Sequence, residues 1–462
     1  MYPGISSRAR RTSGSLGFAG LAVFSLPVLL FQAVELAWRA YLPAFLAQSV
    51  GLTLALVGSL MLGVRVLDAV ADVVLGWASD NMRTRFGRRA PWMLAGAVLV
   101  PIGALLLFLA PPGAGILRVV GASLLLHMGY SLIVTPHGGW GLELSDDERE
   151  RTRIMGAKVW FGVFGSIGML AMIGLLERRF GFDISALATT FGWIIAVFAP
   201  ITVLAVLLSF REPTLPARLP RSARPALAIL IAAMVRDPAM RKILALYLLC
   251  GMADASTAST FLFLAEPVLG VKGQGATFML IQPVMALFAV PLWAAVADRV
   301  GRKRVLAIGF GWQALTMPIV LWVPNGNAAL FGLFLMLRGL TCGIDYMLLR
   351  AMVADVAERN GSENGAARMS ASYYALSSVT LKLAMGLGPG LGLWLIGASG
   401  FQAGAPSTSA AGLAIRLAYA MPSVVAGLAG LALLKERRIR ASVATGVEIP
   451  RPRKAETSLS AQ

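Results

Sequence analysis

Arg65, Asp68 and Asp72 stand inside an otherwise apolar run, Leu54 to Ala78. On a helix the spacing i, i+3, i+7 puts all three side chains on one face. A charge at the centre of a bilayer costs about 3 kcal/mol or more, so that face must turn towards a bundle interior or a wet cavity. Two carboxylates one turn apart can do two kinds of chemistry: supply oxygen ligands to a hard cation, or share a proton. One guanidinium cannot neutralise both acids. Arg65 is either a structural counter-ion to them or part of the ion path.

The surrounding chain is built to hold such a face in a membrane. Its 462 residues are 57% hydrophobic and 14% charged, and the mean hydropathy is +0.73. That excludes a soluble globular protein of this length. With about 20 apolar residues per crossing, twelve spans are expected: near 19–46, 52–79, 91–110, 115–142, 155–176 and 187–209, then 243–268, 274–297, 303–323, 327–355, 371–397 and 411–434. The fold class expected is an all-α polytopic membrane protein.

The formal net charge of +18 does not point to nucleic acid, because the basic residues lie between apolar runs rather than along a soluble face. They read as topology signals. Arg83, Arg85, Arg88 and Arg89 follow the second span. Arg211, Arg218, Arg221, Arg224 and Arg236 follow the sixth, and Arg299, Arg302, Lys303 and Arg304 follow the eighth. The other side carries only Arg118, Arg178, Arg179 and Lys272. Both termini are therefore expected in the cytoplasm of a cell-membrane protein. The segments expected are a tail 1–17, a six-helix bundle 18–211, a Pro- and Arg-rich linker 212–240, a second bundle 241–435 and a polar tail 436–462. Asp298-Arg299-Val300-Gly301-Arg302-Lys303 repeats the acid, glycine and basic cluster of Asp80 to Arg89 after the matching span, which indicates a parallel duplication. Asp80, Arg85, Arg88 and Arg89, with Asp298 and Arg302, are expected to latch the ends of the halves as gating residues. The chain is expected to act as a monomer in the lipid bilayer.

Six plus six helices with these clusters resemble the major facilitator superfamily. Within it, Arg65-x-x-Asp68-Ala69-x-x-Asp72-x-x-x-Gly76, followed by Arg83-Thr84-Arg85-Phe86-Gly87-Arg88-Arg89-x-Pro91-Trp92, resembles the glycoside-pentoside-hexuronide:cation symporters, the melibiose permease-like branch. Glu150-Arg151-Thr152-Arg153, Phe261-Leu262-Phe263 with Gly270, and Lys382 extend the likeness over nearly the whole chain. The resemblance implies uptake of a sugar or glycoside coupled to Na+, Li+ or H+ by alternating access. It implies cation-site roles for Asp68, Asp72, Ser131 and Lys382, and a place in the sugar cavity for Tyr130. Gln32 and Val134 stand where galactoside-binding members have acids, and Val73 and Ala71 replace a Pro and an Asn. Fewer oxygen ligands favour H+ over Na+.

Other polar residues fall in apolar runs. Glu35 either pairs with Arg39 at i, i+4 or lines the substrate cavity with Gln32. Asp254 lies among Ser256, Thr257, Ser259 and Thr260, a face suited to hydroxyl-bearing ligands. Lys158 lies one residue from the place of a substrate-binding Arg in the family. Arg338 and Asp345 read as a structural pair, and His127 reads as a packing histidine. Tyr373 and Tyr374 stack on a sugar or sit at the membrane interface. Cys250 and Cys342 stand apart and suggest no metal site. Gly386 to Gly392 reads as close helix packing. No catalytic triad or nucleotide loop is present, so an enzyme is not expected. Two other readings are a carrier of an amphiphile such as a lysophospholipid, and a membrane assembly factor or sensor that moves nothing.

Overall fold

A computed structural model describes residues 16–81, 87–145, 148–212, 235–363, 370–402 and 409–435. Twelve helices long and apolar enough to cross a membrane are found among them. The first half comprises α1 (Phe18–Val50), α2 (Leu54–Asn81), α3 (Ala90–Phe108), α4 (Ile116–Glu143), α5 (Glu148–Phe180) and α6 (Ile184–Ser209). The second comprises α7 (Pro238–Val268), α8 (Gly275–Val300), α9 (Arg302–Trp322), α10 (Ala328–Gly339 and Ile344–Glu363), α11 (Ser370–Ala398) and α12 (Ser409–Leu434). Each expected span is met by one helix. Asp80 lies within α2, while Arg85 and Tyr374 fall where no side chain is described.

Local chemistry sets several helix ends. Asp183 and Asp237 accept backbone N–H groups at the starts of α6 and α7, at 2.8 Å from Ala186 and 2.7 Å from Ala239, as N-cap carboxylates do. Gly51, with φ 88°, closes α1 in the left-handed region. Two departures from regular helix lie in spans that function depends on. α1 contains π-turns at Ala37–Tyr41 and Leu46–Val50. α10 breaks at Gly343, φ 82°.

The two halves are joined between mid-height and the face opposite the linker. α2 and α11 lie so close that a Cβ on Gly386 would stand 2.9 Å from the Cβ of Arg65, and one on Gly58 3.0 Å from the carbonyl oxygen of Gly390. That is the close approach expected of the glycine-rich stretch. At the opposite face, the Glu177 carboxylate of α5 is buried. It accepts the Ala276 N–H of α8 at 3.0 Å and the Tyr41 hydroxyl at 3.3 Å, so one half caps a helix of the other. Arg178 adds a bond to Gln274 at 2.8 Å. One apolar core runs through the first half and continues into the opposite-face part of the second, from Phe261 to Tyr419. A separate core around Leu246, Phe310 and Leu349 fills the linker-face part of the second half alone.

Candidate cation and substrate site

The acids picked out by spacing meet near the midpoint of α2. The Asp68 side chain is fully enclosed and Asp72 is 21% exposed. Asp68 Oδ1 accepts the Ser131 hydroxyl at 2.5 Å. Its Oδ2 lies 3.0 Å from Lys382 Nζ and 3.4 Å from Arg65 Nη1. Lys382 Nζ also pairs with Asp72 Oδ2. The Asp72 Oδ1 accepts the hydroxyl of Thr135 at 3.2 Å. Asp68 and Asp72 on α2 thus face Ser131 and Thr135 on α4 as two rungs, each pair four residues apart. α11 delivers an ammonium between them from the other half.

Arg65 is shared. Its Nη2 donates to Glu35 Oε2 at 2.7 Å, and its guanidinium lies 6.0 Å from the Trp38 ring centre. The network therefore holds three carboxylates, Glu35, Asp68 and Asp72, against two cations, Arg65 and Lys382. With every group in its ordinary form it carries one net negative formal charge, and an isolated charge of that kind is costly at this depth. The Lys382 ammonium lies between one oxygen of Asp68 and one of Asp72, and the other oxygens of the two acids take the Ser131 and Thr135 hydroxyls; side-chain oxygens of this kind are what hard cations use.

Of the two readings of Glu35, the pair with Arg39 does not form: Glu35 takes Arg65. The π-turn at Ala37–Tyr41 inserts extra residues into the helical register and rotates Arg39 away from Glu35. Arg39 instead pairs across the halves with Asp254, which also accepts the Tyr346 hydroxyl at 3.4 Å. Among the remaining cavity candidates, Gln32 Oε1 accepts from Ser166 at 2.7 Å. Tyr130 is buried edge-on to Phe31 with ring centres 5.5 Å apart. Val134 packs half-buried on the first core. Lys158 lies apart, with Nζ 3.3 Å from His137 Nδ1 and 5.7 Å from the centre of the Phe24 ring.

Thr135 and Tyr346 escape a reading by acidic residues. Thr135 carried a signal in its place four residues after Ser131. His127 packs as expected, with its Nδ1 3.1 Å from the Ser123 carbonyl oxygen and its ring 4.0 Å from Trp38. Its Nε2 has no partner, like Trp38 Nε1 and Arg65 Nε beside it. Arg338 and Asp345 were expected to share a helix face. The break at Gly343 comes between them.

At the linker face, the described pairs of the basic clusters stay within one half. Glu212 accepts the backbone N–H groups of Arg88 and Arg89, the latter at 2.5 Å, and the Arg89 side chain donates to the Pro136 carbonyl at 3.1 Å. Arg302 hydrogen-bonds Asp355 at 2.5 Å, and Asp298 is exposed at the end of α8. The Asp80 and Arg85 side chains lie outside the described residues.

Residues 23–439 match the family model described as MFS/sugar transport protein. The chain is 24% identical over 396 residues to the glucuronide carrier protein homolog of Escherichia coli K12, covering 82% of this chain and 84% of that one. It is 25% identical over 412 residues to the isoprimeverose transporter of Lactiplantibacillus pentosus, covering 85% and 83%. Among solved structures, the nucleoside transporter NupG superposes with a TM-score of 0.65 over 90% of this chain and 99% of that chain, at 15% identity, a likeness of fold. Twelve spans in two joined halves, with charged groups meeting where the halves touch, are the architecture of a transporter rather than an enzyme, and the chain belongs to the MFS/sugar transport protein family.

Proposed function

We propose that this protein is a secondary active transporter that couples entry of a sugar or glycoside to H+ or Na+ by alternating access, in a cell membrane with both termini in the cytoplasm. The names of its relatives, a glucuronide carrier homolog and an isoprimeverose transporter, support the substrate class. One observation carries the coupling: Lys382, from the second half, sits between Asp68 and Asp72 of the first. Its ammonium occupies the place a coupling cation would take. Arrival of Na+ between the two carboxylates, or of a proton on one of them, removes the attraction that holds Lys382 there. The α2–α11 contact is then free to change as the halves rock about the site. Thr135 supplies an oxygen that the spacing of acids did not reveal, so Na+ stands level with H+ on donor count.

Substrate hydroxyls are assigned to the half-buried polar groups at the same depth: Gln32, Glu35, Asp254 and, beside them, Tyr346, with Tyr130 as an aromatic wall. Lys158 has a positioning role through His137 in this assignment. Asp80, Arg85, Arg88, Arg89, Asp298 and Arg302 control closure of the linker face.

Uptake of a radiolabelled glucuronide and of a labelled xylosyl-glucoside is measured in proteoliposomes under imposed Na+ or pH gradients. One gradient is expected to drive accumulation, and Asp72→Ala is expected to abolish it while the protein stays in the bilayer. Accumulation by Asp72→Ala equal to that of the unaltered protein would overturn the assignment.

A further inference from the structure

We propose a binding site for an anionic phospholipid at the linker face of the second half, remote from the Asp68–Asp72 site. A cavity of about 680 Å³ opens there between the first turns of α7, the α8–α9 turn and the last turns of α10 and α12. Its walls are apolar, from Ile243 and Leu246 on α7, Met352 and Val356 on α10, and Leu433 and Leu434 on α12. Its rim carries five basic side chains, Lys242, Arg302, Lys303, Arg304 and Arg359, against one acid, Asp355. Asp355 is engaged by Arg302, and Arg359 reaches Asp237 at 3.3 Å. No carboxylate partner is found for Lys242 or Arg304 among the described residues, and both are exposed.

The combination selects one kind of occupant. A basic rim at the ends of membrane spans attracts phosphate headgroups, and an apolar wall beneath it takes hydrocarbon. A soluble anion would use the rim and leave the wall without a partner. The neighbouring segments of the chain have the wrong charge: residues 436–462 hold six basic and three acidic residues, and 213–234 hold three arginines and no acid. The phosphodiester of the lipid is assigned to Lys242 and Arg304, with one acyl chain lying between α7 and α12.

The test is native mass spectrometry of the full-length protein in detergent, titrated with phosphatidylglycerol, phosphatidylcholine or inorganic phosphate. Phosphatidylglycerol is expected to bind about tenfold or more tightly than phosphatidylcholine. K242Q/R304Q is expected to remove that preference. R241Q/R299Q, which neutralises the same charge on exposed residues outside the cavity, is expected to keep it. Met352→Trp, which fills the cavity without changing charge, is expected to weaken phosphatidylglycerol binding; if it fails to fold, the paired glutamine variants decide. Equal affinity for the two lipids would overturn the proposal, as would equal losses in the two glutamine variants. So would displacement of phosphatidylglycerol by an equal concentration of inorganic phosphate.

Discussion

Ser131 is the residue on which the cation-site proposal can be tested with least damage. Its hydroxyl is the 2.5 Å donor to an enclosed carboxylate oxygen, and a buried acceptor that loses its donor costs about 1–3 kcal/mol. Ser131→Ala is therefore expected to weaken coupling-ion affinity about tenfold, read as the shift in the Na+ or proton concentration giving half-maximal uptake, while Ser131→Thr retains it. Lys382 should act in the opposite sense, because its ammonium competes with the cation for Asp68 and Asp72. Lys382→Ala is expected to raise affinity for the coupling ion at least about tenfold, seen as ion-dependent thermal stabilisation, and to lose concentrative uptake. Much of this cluster was legible before any fold was known, because acids in an apolar run have few places to go. Asp68 and Asp72 needed only helical spacing. Thr135 was marked only by its place four residues after Ser131, since a Thr hydroxyl in a membrane helix commonly satisfies itself on the preceding turn, and Tyr346 was not legible because it meets Asp254 from a different helix. Arg39 and Glu35 show a second limit: their i, i+4 spacing assumes a register that the π-turn at Ala37–Tyr41 removes.

At the scale of the helix, apolar length located all twelve spans, because the bilayer imposes a ruler that composition must meet. It could not show where a span breaks. The gap between the two parts of α10 and the π-turns of α1 change hydrogen-bond register without changing hydropathy. The glycine-rich stretch of α11 was legible as close packing, but its partner was not, because contact between distant helices leaves no local mark. That partner is α2, and the contact is what lets Lys382 reach both acids. Gly386→Val would place its branched side chain against Arg65 and Leu62, where even a Cβ stands at 2.9 and 3.3 Å. Overpacking of this kind costs about 1–3 kcal/mol. The variant is expected to keep a folded second half but to lose coupled uptake, because separating α2 from α11 lifts Lys382 off the carboxylates. Gly390→Ala is the control one turn further on, where a Cβ meets its neighbours at 3.5 Å or more. It is expected to transport normally in the same assay.

For the whole molecule, the question is which face is closed. The contacts described between the halves run from Lys382 and Arg39 at mid-height to Glu177, Arg178 and Gln274 at the face opposite the linker, and the shared apolar core follows them. The described linker-face pairs, Glu212 with Arg88 and Arg89 and Arg302 with Asp355, hold each half to itself. This arrangement holds the molecule at the face opposite the linker by a cross-half cap. The Glu177 carboxylate is the decisive group, because it caps α8 of one half from α5 of the other while also taking the Tyr41 hydroxyl. Removing it leaves the Ala276 N–H of the other half without its acceptor, a loss of about 1–3 kcal/mol borne by the closed state alone, whereas the Tyr41 bond lies within the first half. A two-state equilibrium responds with a shift of roughly 5- to 150-fold towards opening at that face. Spin labels at Asp183 and Lys272, in a background with Cys250 and Cys342 replaced by alanine, measure the shift. Glu177→Ala is expected to lengthen the distance between them, and Glu177→Gln, which keeps a carbonyl acceptor for the Ala276 N–H, is expected to restore most of the short distance. An unchanged distance in Glu177→Ala would mean that the apolar core alone holds this face shut.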